Sequence, residues 1–200
     1  MNTNHYSGGL TREQFLFFEI RIVAGLLCEG LSREEILEKV AYENLFQFPT
    51  ERMIKTIARA CFRRIDALDS QELTRLLVDS SPEIAKQINL YAIMCENSIV
   101  YDFFTEVIGE KYKTQQFDFS GKDINLFFIR LSEKIPAVSE WSEATIKKLK
   151  QVLVRFMIEC EYLESPKSQT LLPVYLFEEL ENTIRCKGDN DALAAFNCLI

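Results

Sequence analysis

Apolar residues along this chain recur at three- and four-residue spacing, so it reads as successive helices with short connections. Thr11 and Gln14 form a capping-box pattern ahead of the apolar-rich run 15–28, and Gly30 follows as a stop. Ser32 and Glu35 repeat that pattern and open a short helix through about Ala41. The segment 43–49 is a connection with three apolar anchors, Leu45, Phe46 and Phe48. Pro49 and Thr50 then start a helix over TERMIKTIARACFRRI, residues 50–65. Asp69 with Glu72, and then Ser81-Pro82, predict two further helix starts. The stretch 83–95 is helical by period, and 98–112 forms its neighbour.

Composition changes at KTQQFDFSG, residues 113–121, which predicts a boundary between subdomains at 6–114 and 120–200. Helical period resumes over 123–134 and Pro136 ends it. A long helix follows over 142–163, and 165–173 is a loop with room for a small wing or hairpin. Two terminal helices are expected at 175–187 and 189–199, the second with Asp189 as N-cap. The expected fold is all-α: a compact multi-helix globule with two helix-turn-helix-like elements, in two closely packed subdomains.

The chain has 200 residues, 48% apolar and 26% charged, which suits a folded soluble protein with a sizeable core. Seven glycines and five prolines are few for an all-β protein. Lys and Arg number 23 against 30 Asp and Glu, a net charge of −7, so attraction to nucleic acid must come from local patches. Six scattered cysteines contain no C-x-x-C pair and sit in helical patterns, which reads as small reduced core residues. The polar start is unlike a secretory signal, and no uncharged apolar run approaches a membrane span. A cytoplasmic protein without a membrane partner is expected.

Two helices change this picture. At about 100° per residue, Lys55, Arg59 and Arg63 lie within roughly 60° of Arg52. Met53, Ile54, Ile57, Ala58, Cys61 and Ile65 gather opposite, with Arg64 off the stripe. In the later helix Lys147, Lys148, Gln151 and Arg155 share a sector of roughly 100°, away from Ile146, Leu149, Leu153 and Phe156. Residues 50–65 carry five cations against Glu51 alone; residues 142–155 carry Lys147, Lys148, Lys150 and Arg155 against Glu143. Compensating acid collects at 159–164 and 178–181. Cationic files on amphipathic helices suit a phosphate backbone, with Thr56 placed to reach bases beside Arg52, Lys55 and Arg59.

Catalytic chemistry finds no comparable support. The one histidine is His5, near the N-terminus, so neither a His-based triad nor a multi-histidine metal site is available. Phosphate-loop, dinucleotide and nucleophile-elbow glycine motifs are absent. Adjacent acids such as Glu34-Glu35 and Glu178-Glu179 point apart on their helices. No cofactor or metal is implied. Phe15, Phe17, Phe18, Phe103, Phe104, Phe127 and Phe128 cluster at helical spacing and read as core; Trp141 reads as a staple ahead of the second basic helix.

Three segments carry a family resemblance: YSGGLTREQFLFFEIRIVAGLL (6–27), ENLFQFPTERMIKTIARACFRRI (43–65) and WSEATIKKLKQVLVRFMIECEYL (141–163). Together, in this order, they resemble the BrxA family, core proteins of the BREX phage-defence systems. The resemblance implies an all-helical protein with two helix-turn-helix elements that binds double-stranded DNA and catalyses nothing itself. It would work beside a methyltransferase, an ATPase and a phosphatase-like component. Its DNA-facing residues would be Arg52, Lys55, Arg59 and Arg63, then Lys147, Lys148 and Arg155. Two other readings stay open: an adaptor whose cationic faces dock acidic surfaces of BREX components, and an RNA-binding helical module resembling antitermination factors.

Overall fold

Where the sequence predicts one capped helix after Thr11, the chain breaks. The computed structural model of the protein describes Tyr6 and residues 8–198, so His5 and Leu199 lie outside the described residues. A single-turn helix, α1 (Leu10–Glu13), precedes α2 (Phe17–Cys28), and the Thr11 hydroxyl donates to the Gly8 carbonyl instead of capping. Between the helices Gln14 and Leu16 take positive φ, 33° and 52°, conformations that L-residues occupy only under constraint. The constraint is polar. The intervening Phe15 carbonyl accepts from Arg64 Nη1 at 2.9 Å and from Asn89 Nδ2 at 2.7 Å, and both donor side chains are fully buried.

The chain divides into two compact units, residues 15–96 and residues 1–14 with 97–200; the stretch 113–121 lies inside the second. In the first, α2 is followed by α3 (Arg33–Tyr42), α4 (Glu51–Leu68), α5 (Gln71–Asp79) and α6 (Pro82–Glu96). Ser32 and Glu35 make the expected capping box, and Gly30 stops α2 at φ 89°. Thr50 caps α4 by accepting from the Met53 amide. The start expected at Asp69 falls one residue later, at Ser70, because Asp69 ends α4 in the left-handed conformation. Helix α4 is the spine of this unit, packing against α2, α3, α5 and α6. Its residues Ile54, Ile57, Ala58, Cys61, Ile65 and Leu68 are buried, as are Ile20, Val23 and Ala24 of α2, against which it packs.

The second unit runs from α7 (Ser98–Phe103), capped by Asn97, into a π-helical stretch (Phe104–Gly109) and α8 (Glu110–Lys113). It continues through α9 (Gly121–Lys134), α10 (Pro136–Ser139), α11 (Glu143–Glu159), α12 (Glu178–Cys186) and α13 (Asn190–Ala195). Helix α11 ends before the expected Leu163: Glu161 takes φ 62° and the Tyr162 amide turns back to the Met157 carbonyl. The 165–173 loop forms no hairpin of its own. Instead Leu171 donates to the Phe117 carbonyl and Phe119 to that of Gln169, around an isolated Asp118–Thr170 bridge. Phe103, Phe104, Phe119, Phe127 and Tyr162 stack edge to face in the core. The Tyr162 hydroxyl donates to the Ala195 carbonyl at 3.0 Å, and a Cβ on Gly109 would meet the Ala195 amide nitrogen at 3.1 Å.

The fold is all-α. Two core expectations fail: Phe18 is 76% exposed on the outer face of α2, and only Cys61 and Cys160 of the six free cysteines are buried, with Cys28 and Cys186 exposed.

Arg64→Ala is expected to lower the unfolding free energy by about 3 kcal/mol, since it removes a buried charged donor and leaves space behind. Arg64→Met keeps apolar volume and is expected to lose less; urea denaturation followed by circular dichroism reads both. In Gly109→Ala, helix propensity alone would stabilise by about 1 kcal/mol. The close approach of α13 reverses the sign, giving a loss of about 1–3 kcal/mol in thermal unfolding.

Candidate nucleic-acid interface

Helix α4 buries one side so thoroughly that its cations, Arg64 apart, have only the other. Arg52, Thr56, Arg59 and Arg63 are exposed and Lys55 is half-buried, as the periodicity predicts. Met53, expected on the core side, is 43% exposed at the edge of this face. Arg64 is the main departure, turned inward to the Phe15 carbonyl. It was the one cation of this helix that the wheel placed off the stripe.

The exposed members differ in their engagement. Lys55 pairs with Glu51 one turn earlier, and this hydrogen bond holds the Glu51 carboxyl below the usual range. Arg63 Nε lies 3.2 Å from Glu96 Oε1. The Thr56 hydroxyl donates to the Arg52 carbonyl at 2.8 Å, which leaves its oxygen available as an acceptor. Among the described residues, the Arg52 and Arg59 side chains have no hydrogen bond or ion pair. Their guanidinium groups are therefore available to an external anion without breaking an internal contact.

Helix α11 starts at Ser142, whose hydroxyl accepts from the Thr145 amide. Burial of Leu149, Val152, Leu153, Phe156 and Met157 leaves Lys147, Lys148, Gln151 and Arg155 exposed along the opposite side. Lys147 and Lys148 have no side-chain partner among the described residues. Arg155 donates to Gln14 Oε1 at 2.8 Å and lies 4.0 Å from Glu159, so it is held in place. Lys150, outside the expected set, donates to Asn125 Oδ1 at 2.7 Å and sits over the Phe128 ring. Periodicity places Lys150 roughly 60° from Lys147 and roughly 160° from Lys148, at the margin of the exposed sector, and no sequence signal foretold its amide and aromatic partners. Trp141 is half-buried just ahead of the helix.

The nine expected residues thus form two separate files, one on α4 and one on α11. Among the described residues no group of three or more His, Cys, Asp or Glu could hold a metal ion, and no helix is long and apolar enough to cross a membrane.

These features define a class: an all-α protein that presents cationic faces on amphipathic helices. The chain belongs to the BrxA family, whose sequence pattern matches residues 4–188. It is 32% identical over 186 residues to the BREX protein BrxA of Bacillus cereus (strain H3081.97), covering 92% of each chain. To the BREX protein BrxA of Escherichia coli O9:H4 (strain HS) it is 24% identical over 193 residues, covering 96% of this chain and 90% of that one. Its fold is similar to the crystal structure of an uncharacterized protein from Magnetospirillum magneticum. That match has a TM-score of 0.82 at 20% identity and covers 97% of this chain and 99% of the other.

Arg59→Glu and Lys147→Glu are each expected to leave stability within about 0.5 kcal/mol of wild type, because neither side chain supports the fold. Arg63→Glu sets a carboxylate against Glu96 and is expected to cost about 1 kcal/mol. Urea midpoints of the three variants make the comparison.

Proposed function

We propose that this chain is a non-catalytic, cytoplasmic double-stranded DNA-binding accessory component of a BREX phage-defence system. The observation that carries the reading is the pair of cationic files, with Arg52 and Arg59 on α4 and Lys147 and Lys148 on α11 free of internal partners. They occur in a chain whose net charge is −7, where cations without acidic neighbours need a local reason. Membership in the BrxA family, with relatives named as BREX proteins, supports the system assignment. Methyltransferase, ATPase and phosphatase-like components of such a system are the expected working partners.

In this reading α3–α4 and α9–α11 act as helix-turn-helix-like pairs. Arg33 fixes the first pair by bonding Asp66 at 2.5 Å and covering the Phe62 ring, which sets the start of α3 beside the end of α4. The cationic files hold phosphates, while Thr56 and Gln151 are polar enough to meet base edges. Duplex DNA is favoured over single-stranded RNA because neither file contains an aromatic side chain on which unstacked bases could lie.

Affinity for a short duplex is expected to fall roughly a thousandfold between about 50 and 200 mM salt if six phosphates are neutralised. Arg52→Glu/Arg59→Glu and Lys147→Glu/Lys148→Glu, folded as judged by circular dichroism, are each expected to weaken binding and reduce the salt slope. Fluorescence anisotropy reads both. Wild-type protein that ignores duplex DNA at low salt would overturn the reading.

A further inference from the structure

Between α9 and α11, closed at one side by Pro166, lies a groove of about 520 Å³. Ile124, Val154, Ile158 and Pro166 make an aliphatic floor, and Lys150 and Arg155 stand at its rim. No Asp or Glu lines it, in a chain with 30 acidic residues. Lys150 is held by the Asn125 amide oxygen and the Phe128 ring face, neither of which neutralises its charge. A volume of this size is typical of built recognition sites.

We propose that this groove docks a short acidic segment of a partner protein. One or two aliphatic side chains of that segment sit on the floor, and its flanking carboxylates meet Lys150 and Arg155. Charge complementarity selects the carboxylates, and the floor selects the anchor. Duplex DNA satisfies only the first requirement, because its backbone has no apolar side chain to place in a concavity. Flipped bases need stacking surfaces, and no aromatic ring lines the groove. The acid-rich stretches 159–164 and 178–181 of a second copy are poor occupants, because the apolar residues beside them, Leu180, Ile184, Tyr162 and Leu163, are all buried. The inference does not rest on DNA binding: Gln151 and Arg155 of the proposed phosphate file also line the groove, but its apolar floor has no part in holding phosphates.

The test uses the full-length, ¹⁵N-labelled protein and three synthetic peptides: alternating Glu and Leu, the same with Ser for Leu, and alternating Lys and Leu. The Glu/Leu peptide is expected to shift the amides of Ile124, Val154 and Ile158. Its affinity should fall about tenfold or more, some 1.4 kcal/mol, both in Val154→Ser and when Ser replaces Leu in the peptide. Absence of shifts at millimolar peptide would overturn the proposal. Equal binding of the Ser peptide would overturn it too, reducing the site to a cationic patch. A short duplex that moves the same three amides and displaces the peptide would assign the groove to nucleic acid instead. Mapping on wild type keeps the test decisive should a variant fail to fold.

Discussion

Much of the 15–96 unit depends on a single carbonyl, that of Phe15. It lies between two residues of positive φ, and a buried carbonyl left without a donor is costly. Two fully buried side chains from distant helices supply the donors, Arg64 from α4 and Asn89 from α6. That arrangement fixes where α2 begins and ties it to the helices it packs against. A guanidinium is suited to this task because it is charged, planar and rich in donors, and its stem packs as an apolar group. Helix α4 therefore uses one of its five cations to build the unit and leaves the other four outside.

Segregation of charge follows from the same helix. Burial of nine of its 18 residues leaves α4 one narrow free side, which Arg52, Thr56, Arg59 and Arg63 share. Exposed ion pairs such as Lys55–Glu51 contribute about 0–1 kcal/mol, so an external phosphate can replace them at little cost. Arg52 and Arg59 have no such pair to break. In the proposed reading, the acidic surplus of the chain limits non-specific attraction, and binding relies on files of short reach that ordinary salt screens within about a Debye length.

What could be read from sequence was what depends on neighbouring residues. Caps at Ser32, Thr50 and Ser142 are local hydrogen bonds between residues three apart, so their spacing reveals them. The outward turn of Arg52, Arg59, Lys147 and Lys148 follows from period alone. Features set by distant parts of the chain were invisible. Periodicity ran straight through Gln14–Phe17 because the break is imposed by Arg64 and Asn89, each more than forty residues away. The π-helical stretch at 104–109 ends at Gly109, which α13 approaches closely, and a lone glycine in an apolar run does not announce either feature. Phe18 and Cys28 misled for the opposite reason: their types suit a core, but α2 has already filled its inner face with Ile20, Val23 and Ala24.

Helix α11 shows how one amphipathic segment can present two different chemistries. Lys147 and Lys148 project from its early turns, exposed and without internal partners, which suits a wet, salt-dependent contact with phosphates. Two and three turns further along the same side, Val154 and Ile158 are only partly covered and line a groove with Ile124 of α9. An uncovered aliphatic floor gains from losing water, and a polyanion cannot remove that water because its surface is itself hydrated. The two stretches therefore favour different classes of ligand even though both are positively charged. Arg155, steadied by Gln14 and Glu159, belongs to the cationic file and lines the groove as well. In the proposed readings the early turns meet a nucleic acid and the later turns a protein segment, and charge alone would not tell the two sites apart.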